Sequence, residues 1–243
     1  MNELKLGRLV VKTPAVCGAV EGRNVREMSR AISLALKRGA DLVELRMDSL
    51  GDKEGWQKIL KDDLPLIFTH RPKREGGAFS GSEGERVEII LEAIENQVPC
   101  VDLEFSTPKS LRDKVVTAAR QEGVSVLMSW HDFSMTPSIK ALKRMAGKMV
   151  KAGGDVIKLV TMAHDPTDSI RVLDFLVDVQ DEISVPVVAF AMGEAGRITR
   201  IASLMLGSPL TYASVGRPTA PGQFDVAETK LLLQKLMPRE GGG

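Results

Sequence analysis

The chain has 243 residues, of which 43% are hydrophobic and 27% charged, proportions typical of a soluble globular domain with a sizeable core. Lysine and arginine number 33 against 32 aspartates and glutamates, so no overall electrostatic field favours nucleic acid or an anionic membrane as a partner. The N-terminus lacks the apolar core of a signal peptide and no run of about 18 apolar residues occurs, so we expect a cytoplasmic protein without a membrane span.

Short apolar runs rich in branched residues alternate with longer amphipathic segments, a pattern typical of repeated βα units. A short hairpin within Met1–Thr13 is predicted to cover the bottom of the fold. The eight predicted strands are Ala15–Val20, Asp41–Arg46, Leu66–Thr69, Cys100–Glu104, Ser125–Trp130, Asp155–Val160, Pro186–Ala191 and Thr211–Val215. The predicted helices are Val25–Lys37, Gly84–Asn96, Ser110–Gln121, Ile139–Val150, Ser169–Val179, Arg197–Leu206 and Val226–Met237.

Eight strands are the number that closes a (β/α)₈ barrel, or TIM barrel, and no Pro/Gly/Ser-rich linker divides the chain. We therefore predict a single α/β barrel domain over residues 1–243. A doubly wound nucleotide-binding sheet is the alternative, but the first βα turn reads CGAVEGRN, which lacks GxGxxG, and no Walker motif occurs.

Active sites of such barrels lie where the strands end, so polar residues at those positions carry the functional information. Side-chain alternation places Glu44 and Arg46 on the inward face of the second strand. A structural ion pair that plugs the barrel explains this pair as well as a functional site does. The third strand runs into FTHRPKREGG, which brings Arg71 and Glu75 to the mouth, although loop charges are often merely solvated.

Asp102 and Glu104 share the inward face of the fourth strand, and we interpret them as structural support with Arg46 as a candidate donor. The fifth strand carries its inward face through Ser129 to His131, whose imidazole suits proton transfer near neutral pH. A structural histidine is equally consistent with this position. No HxH, HExxH or cysteine cluster occurs, so a metal site is not expected.

Lys158 lies within the branched aliphatic residues of the sixth strand, where its side chain cannot easily reach water. Desolvation disfavours the charged amine, and nearby arginines such as Arg71 and Arg200 would disfavour it further. A neutral amine is a nucleophile toward a ketone or aldehyde and forms an imine. The alternative is a buried ion pair with Glu44 or Glu104.

These residues lie in motifs that resemble type I 3-dehydroquinate dehydratases, imine-forming lyases of the shikimate pathway. The motifs, in chain order, are ELRMD, FTHRPKREGG, SWHDF, DVIKLV, AMGEAGRITR and TAPGQ. Each is short, but together their order and spacing are specific. The resemblance implies a barrel that is usually homodimeric and needs no metal or organic cofactor. It also implies that the chain dehydrates 3-dehydroquinate to 3-dehydroshikimate.

Carried over position by position, the resemblance implies that Lys158 forms the imine and that His131 is the acid and base. Glu75 matches the carboxylate that orients this histidine, and Met192 matches a methionine packed near the imine. Thr219 stands where serine is common in the family, and its hydroxyl can donate the same hydrogen bond.

The remaining matched positions bind the substrate in the family. Glu44, Arg46 and Arg71 match residues that hold the ring hydroxyls, and Arg200 and Gln223 match groups that bind the carboxylate. Two alternatives remain open: a class I aldolase on the same barrel, and a catalytically silent barrel that binds a carboxylate ligand or a partner protein.

Overall fold

The computed structural model describes residues 3–61 and 63–237. Its strands are β1 Glu3–Leu6, β2 Leu9–Lys12, β3 Ala15–Val20, β4 Leu42–Arg46, β5 Leu66–Thr69, β6 Cys100–Glu104, β7 Ser125–His131, β8 Val156–Met162, β9 Val187–Met192 and β10 Leu210–Ser214. Its helices are α1 Val25–Lys37, α2 Glu83–Glu95, α3 Lys109–Glu122, α4 Ile139–Lys151, α5 Pro166–Val179, α6 Thr199–Met205 and α7 Val226–Leu236.

The strands β3 to β10 form one parallel eight-stranded sheet in the order β10-β3-β4-β5-β6-β7-β8-β9. Because β10 pairs with β3, the sheet curls into a nearly closed barrel, and the predicted TIM-barrel fold is confirmed. In the described part of the chain, no helix has the length and apolar character needed to cross a membrane.

The two faces of each barrel strand follow the predicted alternation. In β4, Val43 and Leu45 pack into the apolar layer beneath the helices, whereas Leu42 packs into the separate core inside the barrel. In β8, Ile157 and Leu159 likewise face the helices. The residues between them therefore point into the barrel, which sets the orientation of the site described below.

Local side-chain caps fix where several helices begin. Asn24 and Ser82 accept hydrogen bonds from backbone amides in the first turns of α1 and α2. The predicted start of α5 at Ser169 is three residues late, because Asp165 caps the helix and Pro166 occupies its first turn. Gly39, Gly123, Gly153 and Gly207, each just after a helix, have the positive φ angles that glycine caps at helix C-termini adopt.

An antiparallel hairpin of β1 and β2 closes the bottom of the barrel, as predicted. Leu4 and Leu6 are fully buried and belong to the same apolar core as the inward residues at the start of the barrel strands. The turn needs glycine, because Gly7 has φ +54° and a Cβ there would lie 2.6 Å from the carbonyl oxygen of Pro99.

We predict that Leu6→Ala lowers the free energy of unfolding by about 3 to 5 kcal/mol, because it opens a cavity in this core. Val10→Ala is the matched control: its side chain is 57% exposed on the other strand of the hairpin, and we expect a change within about 0.5 kcal/mol. Urea unfolding followed by circular dichroism measures both. Equal effects of the two substitutions would contradict a sealing role for the hairpin.

Candidate active site

A cavity of about 100 Å³ opens where the barrel strands end. Its mixture of charged and aromatic walls is typical of a binding site for a small molecule. All ten residues that the sequence singled out line this cavity: Glu44, Arg46, Arg71, Glu75, His131, Lys158, Met192, Arg200, Thr219 and Gln223.

Lys158 points into the barrel from β8 and is 3% exposed. Its Nζ lies 2.7 Å from Oδ2 of Asp102, 3.8 Å from Oε1 of Glu44 and 4.3 Å from the centre of the Tyr212 ring. The sequence had offered Glu44 or Glu104 as ion-pair partners. The prediction missed Asp102, which forms the short contact from β6, a strand separated from β8 only by β7.

Arg71 joins this ion pair to a larger buried network. Its Nη2 donates to Asp102 at 2.6 Å, and its Nη1 donates to Glu104 at 2.9 Å and to the Ser129 hydroxyl at 2.8 Å. Arg86 reaches Glu104 from α2 and is fully buried. Burial alone would raise the pKa of Asp102, but the charges of Arg71 and Lys158 hold it well below its usual range.

Arg46 does not support Asp102 and Glu104, so its assignment as their donor is wrong. Its guanidinium instead forms two hydrogen bonds to Asp48, at 3.0 and 2.7 Å. Asp48 lies in the 3₁₀ turn directly after β4, so its carboxylate is closer to the Arg46 guanidinium than those of Asp102 and Glu104 are. Asp48 also accepts the backbone amides of Arg71 and Ala78, which ties the ends of β4 and β5 together.

His131 is the last residue of β7, and its Nδ1 lies 2.9 Å from Oε2 of Glu75. With Nδ1 engaged by a carboxylate, Nε2 is the ring nitrogen left for the cavity. Burial lowers the pKa of His131 to about 4; Arg71 and Lys158 contribute to the lowering and Glu75 opposes it. The imidazole is therefore neutral at pH 7 and can accept a proton.

Arg200 lines the cavity from α6 and is 2% exposed. Its Nη2 donates to the carbonyl of Pro221 at 3.0 Å, and its guanidinium stacks on Phe190 at 4.6 Å. Among the described residues no carboxylate lies within ion-pair distance of it, and its Nε has no hydrogen-bond partner. Burial without a counter-charge lowers the pKa of Arg200 to about 10, so the group stays charged and can bind an anion.

Thr219 and Gln223 belong to the loop that follows β10 and covers the cavity near Arg200. Oε1 of Gln223 accepts hydrogen bonds from the amide of Thr219 at 2.7 Å and from its hydroxyl at 3.0 Å. These contacts orient the Gln223 amide and leave its NH₂ group as the donor for a ligand. The hydrogen bond from Arg200 to the carbonyl of Pro221 joins this loop to the guanidinium, so the two are held in a fixed relative position.

Three aromatic residues of the wall were missed by the sequence reasoning. Phe190 and Tyr212 face inward from β9 and β10, and Phe133 follows β7. The inward alternation could have identified the first two, because both lie on the same face as the apolar core of their strands. Phe133 lies in a loop, where no periodicity operates.

Residues 16–237 match the family model for type I 3-dehydroquinase. A 3-dehydroquinate dehydratase of Methanothermobacter thermautotrophicus is 36% identical over 228 residues, which cover 93% of this chain and 98% of that protein. A second, from Methanosarcina barkeri, is 36% identical over 244 residues, covering 96% and 99% of the two chains.

Solved structures agree with these relatives. The 3-dehydroquinate dehydratase of Geobacillus kaustophilus superposes with a TM-score of 0.88 at 26% identity, covering 98% of this chain and all (100%) of that one. The enzyme of Aquifex aeolicus gives a TM-score of 0.79 at 26% identity, covering 93% and 100%.

We predict that the His131 imidazole titrates with a midpoint of about 4, well below its usual value of 6.5. Carbon-13 NMR of the three histidines, assigned with His131→Asn, measures this. Glu75→Gln should lower the midpoint further, because the carboxylate favours the imidazolium. Because folding lowers the pKa of His131, this residue contributes stability to the folded protein above pH 6.5, and that contribution is lost as the pH falls through about 4. A midpoint at or above 6.5 would contradict the buried, cation-flanked environment.

Proposed function

The chain belongs to the type I 3-dehydroquinase family, and from that membership we propose that it dehydrates 3-dehydroquinate to 3-dehydroshikimate through an imine on Lys158. The observation that carries the proposal is the position of this lysine relative to His131. In the β7–β8 ladder Ser129 pairs with Lys158, and His131 lies two residues further along the same inward face. Two strand residues span about 6.6 Å, so a ring bound to the amine lies beside the imidazole.

Imine formation requires the free amine of Lys158. Asp102 is a poor proton acceptor because its pKa is held low, so its part is to aim the amine and the proton passes to water in the cavity. The amine then adds to the ring ketone and passes one proton to its oxygen, which takes up the proton held by the cavity water and leaves as water, so that the nitrogen keeps its last proton. The resulting iminium carries the positive charge that the ammonium carried before, so Asp102 and Glu44 remain paired with a cation.

The elimination follows from the neutral state of His131. Nε2 takes a proton from the carbon next to the iminium, whose nitrogen receives the bond electrons and becomes an enamine. Glu75 stabilises the imidazolium that forms at 2.9 Å from it. The enamine then expels the β-hydroxyl, which takes the proton back from His131 and leaves as water. Hydrolysis of the product imine consumes one water and frees Lys158.

Arg200 supports the proposal because it is placed to bind the carboxylate of the substrate, at the end away from the imine. Its buried guanidinium offers a forked donor to a carboxylate, and the amide NH₂ of Gln223 lies in the same wall. Glu44 and Arg46 reach the cavity from β4 and suit ring hydroxyls. Arg71 contributes mainly through charge, because three of its donor hydrogens already bind Asp102, Glu104 and Ser129.

The imine itself supplies the electron sink, so we propose that neither a metal nor an organic cofactor takes part. The resemblance to the family further implies a homodimer in the cytoplasm, which sedimentation of the purified protein can address for the oligomeric state.

We predict that borohydride with 3-dehydroquinate attaches one adduct to Lys158, located by peptide mass spectrometry. Lys158→Ala should abolish the adduct and lower kcat by at least about 10⁴-fold, since the nucleophile is lost. Lys140→Ala, at an exposed lysine of α4, is the matched control and should behave like the wild type. Appearance of a conjugated enone in the ultraviolet separates dehydration from an aldol cleavage. An adduct on another residue, or the absence of any adduct, would contradict the proposal.

We predict that Arg200→Ala raises KM by about 10- to 150-fold, the equivalent of about 1.5 to 3 kcal/mol for a hydrogen bond to a charged group. Arg200→Lys retains the charge but not the fork, so an intermediate KM is expected. Steady-state kinetics measure both, with the exposed Arg144→Ala in α4 as control. An unchanged KM in Arg200→Ala would show that the substrate carboxylate binds elsewhere.

A further inference from the structure

Glu75 is held at both of its carboxylate oxygens. Oε2 receives the Nδ1–H of His131 at 2.9 Å, and Oε1 receives the hydroxyl of Ser106. Ser106 follows β6, so it lies between the strand ends that carry Glu75 and His131. We propose that Ser106 is a positioning residue for the reaction, acting through Glu75 on His131; this inference rests on the proposed function.

The direction of the Ser106 hydrogen bond is fixed by a neighbour. Nε and Nη2 of Arg74 each lie 3.3 Å from the Ser106 oxygen, and a guanidinium can only donate. Arg74 therefore occupies acceptor positions of the hydroxyl, whose single hydrogen is directed to Glu75. Arg74 is anchored in turn by Glu83 at the start of α2, with a distance of 2.6 Å.

The hydrogen bond from Ser106 restrains the terminal torsion angle of the Glu75 side chain, which could otherwise rotate. The terminal torsion of a glutamate is broad and roughly two-fold, so a single hydrogen bond leaves its carboxylate able to swing. Glu75 is 6% exposed, and among the described residues the Ser106 hydroxyl is the donor that satisfies Oε1. With both oxygens engaged, the carboxylate plane is fixed, and the imidazole of His131 is fixed with it.

The charges around Glu75 and His131 determine the direction in which the pKa of His131 should change when the Ser106 hydroxyl is removed. Arg71, Arg74, Glu104 and His131 face Glu75, and Arg71, Lys158, Asp102 and Glu75 face His131. The Ser106 hydrogen bond withdraws negative charge from the carboxylate. Its removal leaves Glu75 a stronger partner for the imidazolium, so the pKa of His131 should rise.

Three variants test the proposal: Ser106→Ala, Ser106→Thr, and Ser110→Ala as a control at an exposed serine in α3. We expect Ser106→Ala to lower kcat/KM by about threefold to tenfold, the usual effect of one hydrogen bond. Ser106→Thr should restore it to within about twofold. In Ser106→Ala the NMR midpoint of His131 should move to higher pH, whereas Ser110→Ala should match the wild type in both measurements.

Two results would overturn the role of Ser106. One is a Ser106→Ala variant with unchanged kcat/KM and an unchanged His131 midpoint. The other is a loss of activity without a shift of that midpoint and without rescue by threonine, since a purely structural loop contact behaves in this way. If the wild type does not dehydrate 3-dehydroquinate, the proposed function itself fails; borohydride labelling of Lys158 in an active wild type keeps the two failures apart.

Discussion

The ion pair between Lys158 and Asp102, buried inside the barrel where Lys158 lines the cavity, is the interaction on which the rest of the site depends. A single buried charge would be prohibitively costly, so the lysine can lie there only within a balanced set. Three carboxylates and three cations provide this balance: Glu44, Asp102, Glu104, Arg71, Arg86 and Lys158. These charges come from β4, β6 and β8, from the segment after β5 and from α2, so the folded barrel is what brings them together.

The same balance suits the proposed chemistry, because the iminium restores the positive charge that Lys158 gives up when its amine becomes free. An iminium on Lys158 keeps the cation beside Asp102. When the neighbouring proton moves to His131, the positive charge moves with it, from the partner of Asp102 to the partner of Glu75. Each carboxylate is therefore placed for one stage of the reaction, and preorganised charges of this kind contribute strongly to catalysis. Arg200 stands outside the balanced set, which leaves it free to bind an anion from solution.

Much of this arrangement could be predicted from sequence. Alternation along a strand is a local property, so it identified the inward position of Lys158 and the placement of His131 at a strand end. Which carboxylate meets Lys158 could not be predicted, since several inward acids compete and the stagger between strands decides among them. Arg46 was assigned to the wrong partners for the same reason: Asp48, two residues away in a turn, was closer. Ser106 gave no signal, because a serine in a turn is ordinary.

A crystal structure of the protein after borohydride reduction with 3-dehydroquinate would show whether Lys158 forms the imine. We expect a covalent bond from Nζ of Lys158 to a ring carbon, with Asp102 still within hydrogen-bond distance of that nitrogen. We also expect the ring beside Nε2 of His131 and the carboxylate on Arg200. A ligand bound without a covalent link, above an unchanged contact between Lys158 and Asp102, would contradict an imine on Lys158.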